Sequence, residues 1–232
     1  MVSHIPILIP VPTTFSMSND PEFPRGFFDR QDEDDDASFY ALPRFVVHID
    51  APTIAALTQA YRELLPPGGA ILDLMSSWVS HLPDEMKFER VAGLGMNTLE
   101  LERNPRLTQY VVQDLNRQPE LPFAAASFDA VVNAVSLQYL TQPVAVFRSC
   151  ARVLRPRGVH VIALSHRCFP TKAIRAWHAL PPMQRLDVVC AYFERAGGYE
   201  TPSVWDRSPA DADPLWIVWA RRTQPSDGSH GL

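Results

Sequence analysis

The stretch FDAVVNAVSLQYLTQPVAVFRSCARVLRPRGVHVIAL, Phe128 to Leu164, decides the fold. It opens on a short apolar run and closes on another, VHVIAL, each the length of a buried strand. Between them TQPVAVFRSCARVLRPRG reads as a helix, with Val144, Phe147, Ala151 and Leu154 on one face and Gly158 as its stop. A strand, a helix and a second strand make a crossover that sets the two strands parallel, with a right-handed connection.

The same alternation continues outward in both directions. Upstream, DAPTIAALTQAYRELLPPGG predicts a helix capped by Asp50, with Pro52 in its first turn and Ile54, Leu57, Tyr61 and Leu65 on one face. AILDL follows as a strand and FERVAGLGM as a second. NTLELERNPRL starts a short helix, with Asn97 as cap and Glu100 three residues later, the spacing of a capping box. TQYVVQDL is a third strand. Downstream, a helix is expected around Lys172 to Leu180 and another over Met183 to Ala196, stopped by Gly197 and Gly198. TPSVWD and PLWIVWARR are joined by a loop with no room for a helix, so they pair antiparallel. The expected fold is α/β: a doubly wound, mostly parallel seven-stranded sheet with an antiparallel last strand, helices on both faces and an N-terminal lid-like extension. The expected division is an arm and lid segment over residues 1–50, one domain over 51–222 and a loose tail over 223–232.

Bulk properties narrow the function. The 232 residues are 46% hydrophobic, enough for one domain with a sizeable core. A net charge of -5 and a pI near 5.8 give no basic face for nucleic acid. Cys150, Cys168 and Cys190 are odd in number and widely spaced, suiting neither a disulfide framework nor a metal centre. The first apolar run is broken by prolines with no basic residue before it, unlike a signal peptide. No run reaches the ~20 apolar residues of a membrane span. A soluble, cytoplasmic chain without metal follows as the expectation. The acidic cluster Asp32 to Asp36 is expected to be a solvated loop or a helix N-terminus in preference to a cation site.

Two segments carry a family resemblance. YVVQDLNRQPELPFAAASFDAVVNAVSLQYL and VFRSCARVLRPRGVHVIAL resemble the corresponding stretches of class I S-adenosylmethionine (SAM)-dependent methyltransferases of the small-molecule, type 11-like group. The ending AGGYETPSVWD to WIVWARR is similar to that family's final hairpin. The resemblance covers about residues 52–222 and is most specific over 111–165. Arg148-Ser149-Cys150 and Arg157 depart from the usual pattern. It implies SAM as cofactor, a small-molecule acceptor and Asp114 as the partner of the adenine amino group.

The resemblance fails at two functional places. Family members carry D-x-G-x-G-x-G after the first strand, whereas this chain reads Asp73-Leu74-Met75-Ser76-Ser77-Trp78-Val79. Glycine there lets backbone approach the ligand and take positive φ. Where the family has an acid for the ribose hydroxyls, this chain has Gly95, with Asn97 as the best substitute. On one view Ser76 and Ser77 hydroxyls replace backbone amides, and Trp78 walls the pocket, its face toward the sulfonium. On the other, Trp78 fills a vacated cofactor site. The compact, polar loop favours the first.

Ligands of such sheets bind outside the carboxyl ends of the strands, at the switch point. That places Asp73, Met75, Ser76, Ser77, Trp78, Gly95, Met96, Asn97, Gln113, Asp114, Leu115, Asn133, Val135 and Ser136 as cofactor-binding candidates. The resemblance puts Asn133, Ser136, Gln138 and Tyr139 near the transferred group. His166, Tyr139 and His48 are the catalytic candidates, with His81 and Cys168 behind them. Tyr40, Arg44 and Gln138 are the substrate-binding candidates. Tyr40, Arg44 and His48 recur at four-residue spacing, though Pro43 opposes an unbroken helix. Methyl transfer to a small molecule is the leading expectation. Transfer or cyclisation of SAM's aminocarboxypropyl chain is a second, and an inactive scaffold a third. Acceptor and oligomeric state are left open.

Overall fold

The computed structural model describes residues 23–224; the expected arm before residue 23 and most of the expected tail lie outside them. Seven strands form one sheet in the order β3-β2-β1-β4-β5-β7-β6. They are β1 Ala70–Leu74, β2 Arg90–Gly95, β3 Gln109–Val112, β4 Phe128–Ala134, β5 Leu154–Leu164, β6 Ser203–Asp206 and β7 Trp216–Arg221. All neighbours through β5 are parallel, and β7 runs antiparallel to both β5 and β6. The order reverses between β1 and β4, which is the switch point.

β1 is buried at every position, as a central parallel strand covered on both faces must be. Its Ala70, Leu72 and Leu74 join one core, together with Val146, Phe147 and Cys150 of α4 (Pro143–Val153) and Leu186, Val189 and Phe193 of α6 (Pro182–Ala196). Ile71 turns to the other core, with Leu57, Ala60, Tyr61 and Leu64 of α2 (Ala51–Leu64). Helices therefore cover both faces, as expected. Asp50 caps α2 through Thr53 N–H at 3.0 Å, and Gly197 ends α6 at φ 70°. The remaining helices are short: α1 Asp36–Phe39, α3 Thr98–Arg103 and α5 Arg175–Ala179. No helix among the described residues is long and apolar enough to cross a membrane.

Two boundaries differ from the sequence expectation. The helix expected to reach Gly158 stops at Val153, and β5 begins at Leu154 opposite Phe128. Pro156 explains this, since it lacks an N–H and drives Arg155 out of the helical region. The pairing then jumps from Leu154 to Val159, and Gly158 fits where a Cβ would lie 3.0 Å from Asp129 carbonyl. The helix expected from Lys172 starts at Arg175, because Lys172 is drawn into a buried ion cluster described below.

His160 on β5 is fully buried between Phe147 and Phe193. Tyr199 donates its hydroxyl proton to Phe147 carbonyl, so its oxygen accepts from His160 Nδ1 at 3.0 Å. Nε2 is left unprotonated and without a partner among the described residues. Burial pushes the imidazole down to about 3, against an ordinary 6.5. A proton bound by the unfolded chain but not the native one makes stability fall as pH drops below about 6.5, down to about 3. At roughly 1.4 kcal/mol per unit, wild type should lose about 2 kcal/mol more than a His160→Gln variant between pH 7 and 5. Urea unfolding at both pH values measures this, and parallel losses would exclude His160 as the source.

Candidate functional site

A cavity of about 290 Å³ lies outside the carboxyl ends of β1 to β4. That is the low end of the range for small-ligand pockets, about 300–1,000 Å³. The strand ends supply Asp73, Met75, Ser76 and Ser77 after β1, Gly95, Met96 and Asn97 after β2, Gln113, Asp114 and Leu115 after β3, and Val135, Ser136 and Tyr139 after β4. The segment before α2 crosses over them and contributes Tyr40, Arg44 and His48. Most of the sequence-selected residues thus meet in one place.

The loop after β1 is held by its own side chains. Asp73 is buried, and one of its oxygens accepts from both Ser76 and Ser80 hydroxyls at 2.6 Å. Burial raises Asp73 to about 6 despite the two hydroxyls, which favour its charged form. Ser77 donates to Glu100 at 2.6 Å. Asn104 donates to Ser77 carbonyl and to Ser80 Oγ, both at 2.8 Å. All three serine hydroxyls of the loop are therefore directed at protein carboxylates. Met75 stands at φ 57°, the conformation for which glycine is the usual choice.

The lack of a side chain at position 95 has a steric cause. Ser76 N–H donates to Leu94 carbonyl at 2.8 Å, carrying the pairing of β1 with β2 beyond Leu74. The Ser76 carbonyl then sits where a Cβ on Gly95 would be 2.2 Å away. No side chain fits at position 95 while this loop keeps its path. Asn97 is not a free substitute: its oxygen caps α3 through Glu100 N–H, and its amide donates to Tyr40 and Ala41 carbonyls.

The segment over the cavity is fastened at several points. Lys172, only 1% exposed, bonds Asp34 carbonyl at 2.7 Å and reaches Asp32 and Asp36 carboxylates at 3.1 Å. Asp36 is also buried and takes both oxygens to Arg30 at 2.8 Å. Burial alone would raise Asp36, but bonds from Asn116, Arg30 and Lys172 hold it below the ordinary value. The acidic cluster is thus partly an interior ion network and not only a solvated loop. Asp35 does cap α1, through Ala37 N–H. No metal-type cluster occurs among the described residues. Further on, Arg44 lies over the rings of Phe39, Phe169 and Tyr40, at 4.4, 5.2 and 5.7 Å.

Burial lowers the pKa of His48 and of His81, the latter to about 4 with His48 adding to the effect. Both line the cavity as neutral imidazoles at pH 7. Tyr139 accepts from Phe169 N–H at 2.8 Å, and burial pushes it up to about 12, so it stays protonated. Ser136 Oγ is buried without a partner, in the cavity wall. Val135, at φ 46°, is a β-branched residue in left-handed backbone, pinned by Val135 N–H to Ala163 carbonyl at 2.9 Å.

Four sequence candidates are not in the wall. Trp78 points away, donating to Val46 carbonyl at 3.0 Å and meeting Phe45 edge-on. It neither walls nor fills the cavity, because the tight turn at Ser76-Ser77 carries it past the rim. His166, half-exposed, lies 3.5 Å from Asp213. Asn133 donates to Leu74 carbonyl and Gln138 to Val135 carbonyl, so both brace strand ends from below. Asn116, Glu100, Asn104 and Lys172 were not singled out as site residues. Asn116 bridges Asp36 and Tyr139 carbonyl at 2.9 Å each. Only its place just after the third strand could have drawn notice.

Comparison with known proteins agrees with this architecture. A family model described as a methyltransferase domain matches residues 85–162. A putative methyltransferase of Haloferax volcanii, solved with the Trm112 methyltransferase activator, is 16% identical with a TM-score of 0.56, covering 74% of this chain and 91% of that one. A SAM-dependent methyltransferase of Mesorhizobium loti is 20% identical with a TM-score of 0.51, covering 72% and 98%. Phosphoethanolamine N-methyltransferase 2 of Haemonchus contortus, solved with SAM, is 15% identical with a TM-score of 0.54, covering 73% and 52%. Curated protein sequences give no match.

Two substitutions test the packing of the site. Gly95→Asp restores an acid after β2 and should cost about 3 kcal/mol through overpacking against the Ser76 carbonyl. Lys172→Met strands Asp36 and Asp32 with fewer cations and should cost about 3–5 kcal/mol. Urea unfolding of each purified variant gives the numbers.

Proposed function

We propose that this chain, which carries the class I, Rossmann-like fold of SAM-dependent methyltransferases, binds SAM at the switch-point cavity and transfers its methyl group to a small molecule. The observation that carries this is a set of unclaimed polar atoms in the cavity wall. One Asp114 oxygen accepts from Asn116 N–H, and the other takes no bond among the described residues. That oxygen suits an adenine amino group, with Leu115 as the adjacent apolar surface. Beside it, Ser136 lines the cavity, its Oγ buried and without a partner among the described residues. The residues therefore fit a nucleoside cation at the β3 and β4 ends.

When bound, SAM supplies a methyl group on a positively charged sulfur. The wall holds the carboxylates of Asp73, Glu100 and Asp114, which favour a cation in a partly desolvated site. His48, neutral and lining the cavity, is placed to take a proton from an acceptor that must lose one, whereas burial leaves His81 a weak base. Tyr40 and Arg44 offer a stacking and hydrogen-bonding wall for the acceptor. A cavity of about 290 Å³ beneath a covering segment supports an acceptor of small-molecule size. With Trp78 outside the cavity, the inactive-scaffold alternative loses its filling residue.

The altered loop supports a second reading, transfer of the aminocarboxypropyl chain. Ser76 and Ser77 turn inward to Asp73 and Glu100, so the methionine end meets a surface unlike a glycine loop.

Calorimetric titration with SAM and S-adenosylhomocysteine tests the proposal. Wild type should bind both, and Asp114→Ala should weaken both by roughly tenfold, the worth of one charged hydrogen bond. Absence of binding to wild type would sink the proposal. With an acceptor in hand, S-adenosylhomocysteine as by-product indicates methyl transfer, and methylthioadenosine the second reading.

A further inference from the structure

The cavity has an unusual carboxylate on its β2 side. Glu100 belongs to α3, five residues beyond the position that Ser76 closes to any side chain. It is 9% exposed and lines the cavity. Its capping-box role is only half fulfilled: Asn97 caps Glu100 N–H, but the Glu100 carboxylate turns elsewhere. One oxygen accepts from Arg44 backbone N–H at 2.6 Å and the other from Ser77 hydroxyl at 2.6 Å. Both partners are neutral. Asp36, by contrast, has the cations Arg30 and Lys172, while Asp73, also held only by neutral hydroxyls, lies at the β1 end.

A carboxylate offers about four acceptor sites, and Glu100 uses two. A buried charge with spare acceptors and no cation is costly unless a ligand donates to it. Around it, Gly95 has no side chain, Met96 has no donor, and the Asn97 amide is consumed by Tyr40 and Ala41 carbonyls. Among the described residues, Glu100 is therefore the one acid lining the β2 side of the cavity with acceptor capacity to spare.

We infer that Glu100 holds the two ribose hydroxyls of the adenosyl ligand, in place of an acid at the end of β2. This rests on the proposed binding of SAM. The ligand class is a nucleoside with a free cis-diol. Ser77 and the Arg44 backbone act as positioning groups that fix the carboxylate rotamer, and they join the loop after β1 and the covering segment to the ribose site.

The test is calorimetric titration of wild type and Glu100→Gln with S-adenosylhomocysteine and with its 2′,3′-dideoxy counterpart. Wild type should bind the diol ligand roughly 10- to 100-fold more tightly, the range for hydrogen bonds to a charged group. Glu100→Gln should lose most of that preference while binding the dideoxy ligand about as well as wild type. A thermal melt of each protein reports folding separately. An equal loss for both ligands would make Glu100 a prop for the loop and overturn the assignment. Equal affinity of wild type for the two ligands overturns it without any variant. Failure of wild type to bind either ligand refutes the cofactor proposal itself, and the ribose assignment with it.

Discussion

A carboxylate with almost no access to water organises the site. Asp73 stands one residue before the end of the central strand, in the cavity wall. Two serine hydroxyls converge on one of its oxygens, and this convergence bends residues 74–80 into a tight turn. Once bent, the turn lays the Ser76 backbone across β2, aims Ser77 at Glu100 and pushes Trp78 out to the rim. In a glycine loop the backbone would be free to follow the ligand. Here side chains fix it beforehand, so the surface offered to a ligand is rigid.

The same network reaches the covering segment. Glu100 connects the turn to Arg44, Asn97 connects α3 to Tyr40 and Ala41, and Trp78 connects the rim to Val46. On the far side Lys172 and Arg30 lock the acidic run through Asp36. Strand ends and cover therefore form one hydrogen-bonded body around the cavity. Neutral His48 and His81 are set into its wall, at the seam between cover and turn.

The sheet was legible because its signals are local. Apolar runs, the Asp50 and Asn97 caps and the Gly197 stop each specify an element without reference to distant residues. The cavity was legible as a set of strand ends, since topology alone fixes where a doubly wound sheet leaves its crevice. What stayed hidden depends on pairing at long range. Nothing near Lys172 announces that it will be buried against an acidic run 138 residues away. The direction of Trp78 depends on the path of the turn before it, which is set by Asp73. His166 follows β5 directly, but its side chain leads to Asp213. The apolar pattern of α4 continues through Leu154, where the backbone has already become strand.

The contact between Ser76 and Gly95 also restricts the routes by which such a sequence can arise. The turn and a side chain at position 95 exclude each other, since the Ser76 carbonyl occupies the space of the Cβ. For any chain with an acid there and a glycine loop, the order of substitution toward this arrangement matters. Losing the acid first gives up a ligand contact but leaves a foldable chain. Tightening the turn first forces a steric overlap at once. The passable path runs through glycine at 95, and once the turn has closed, the way back is barred unless both places change together.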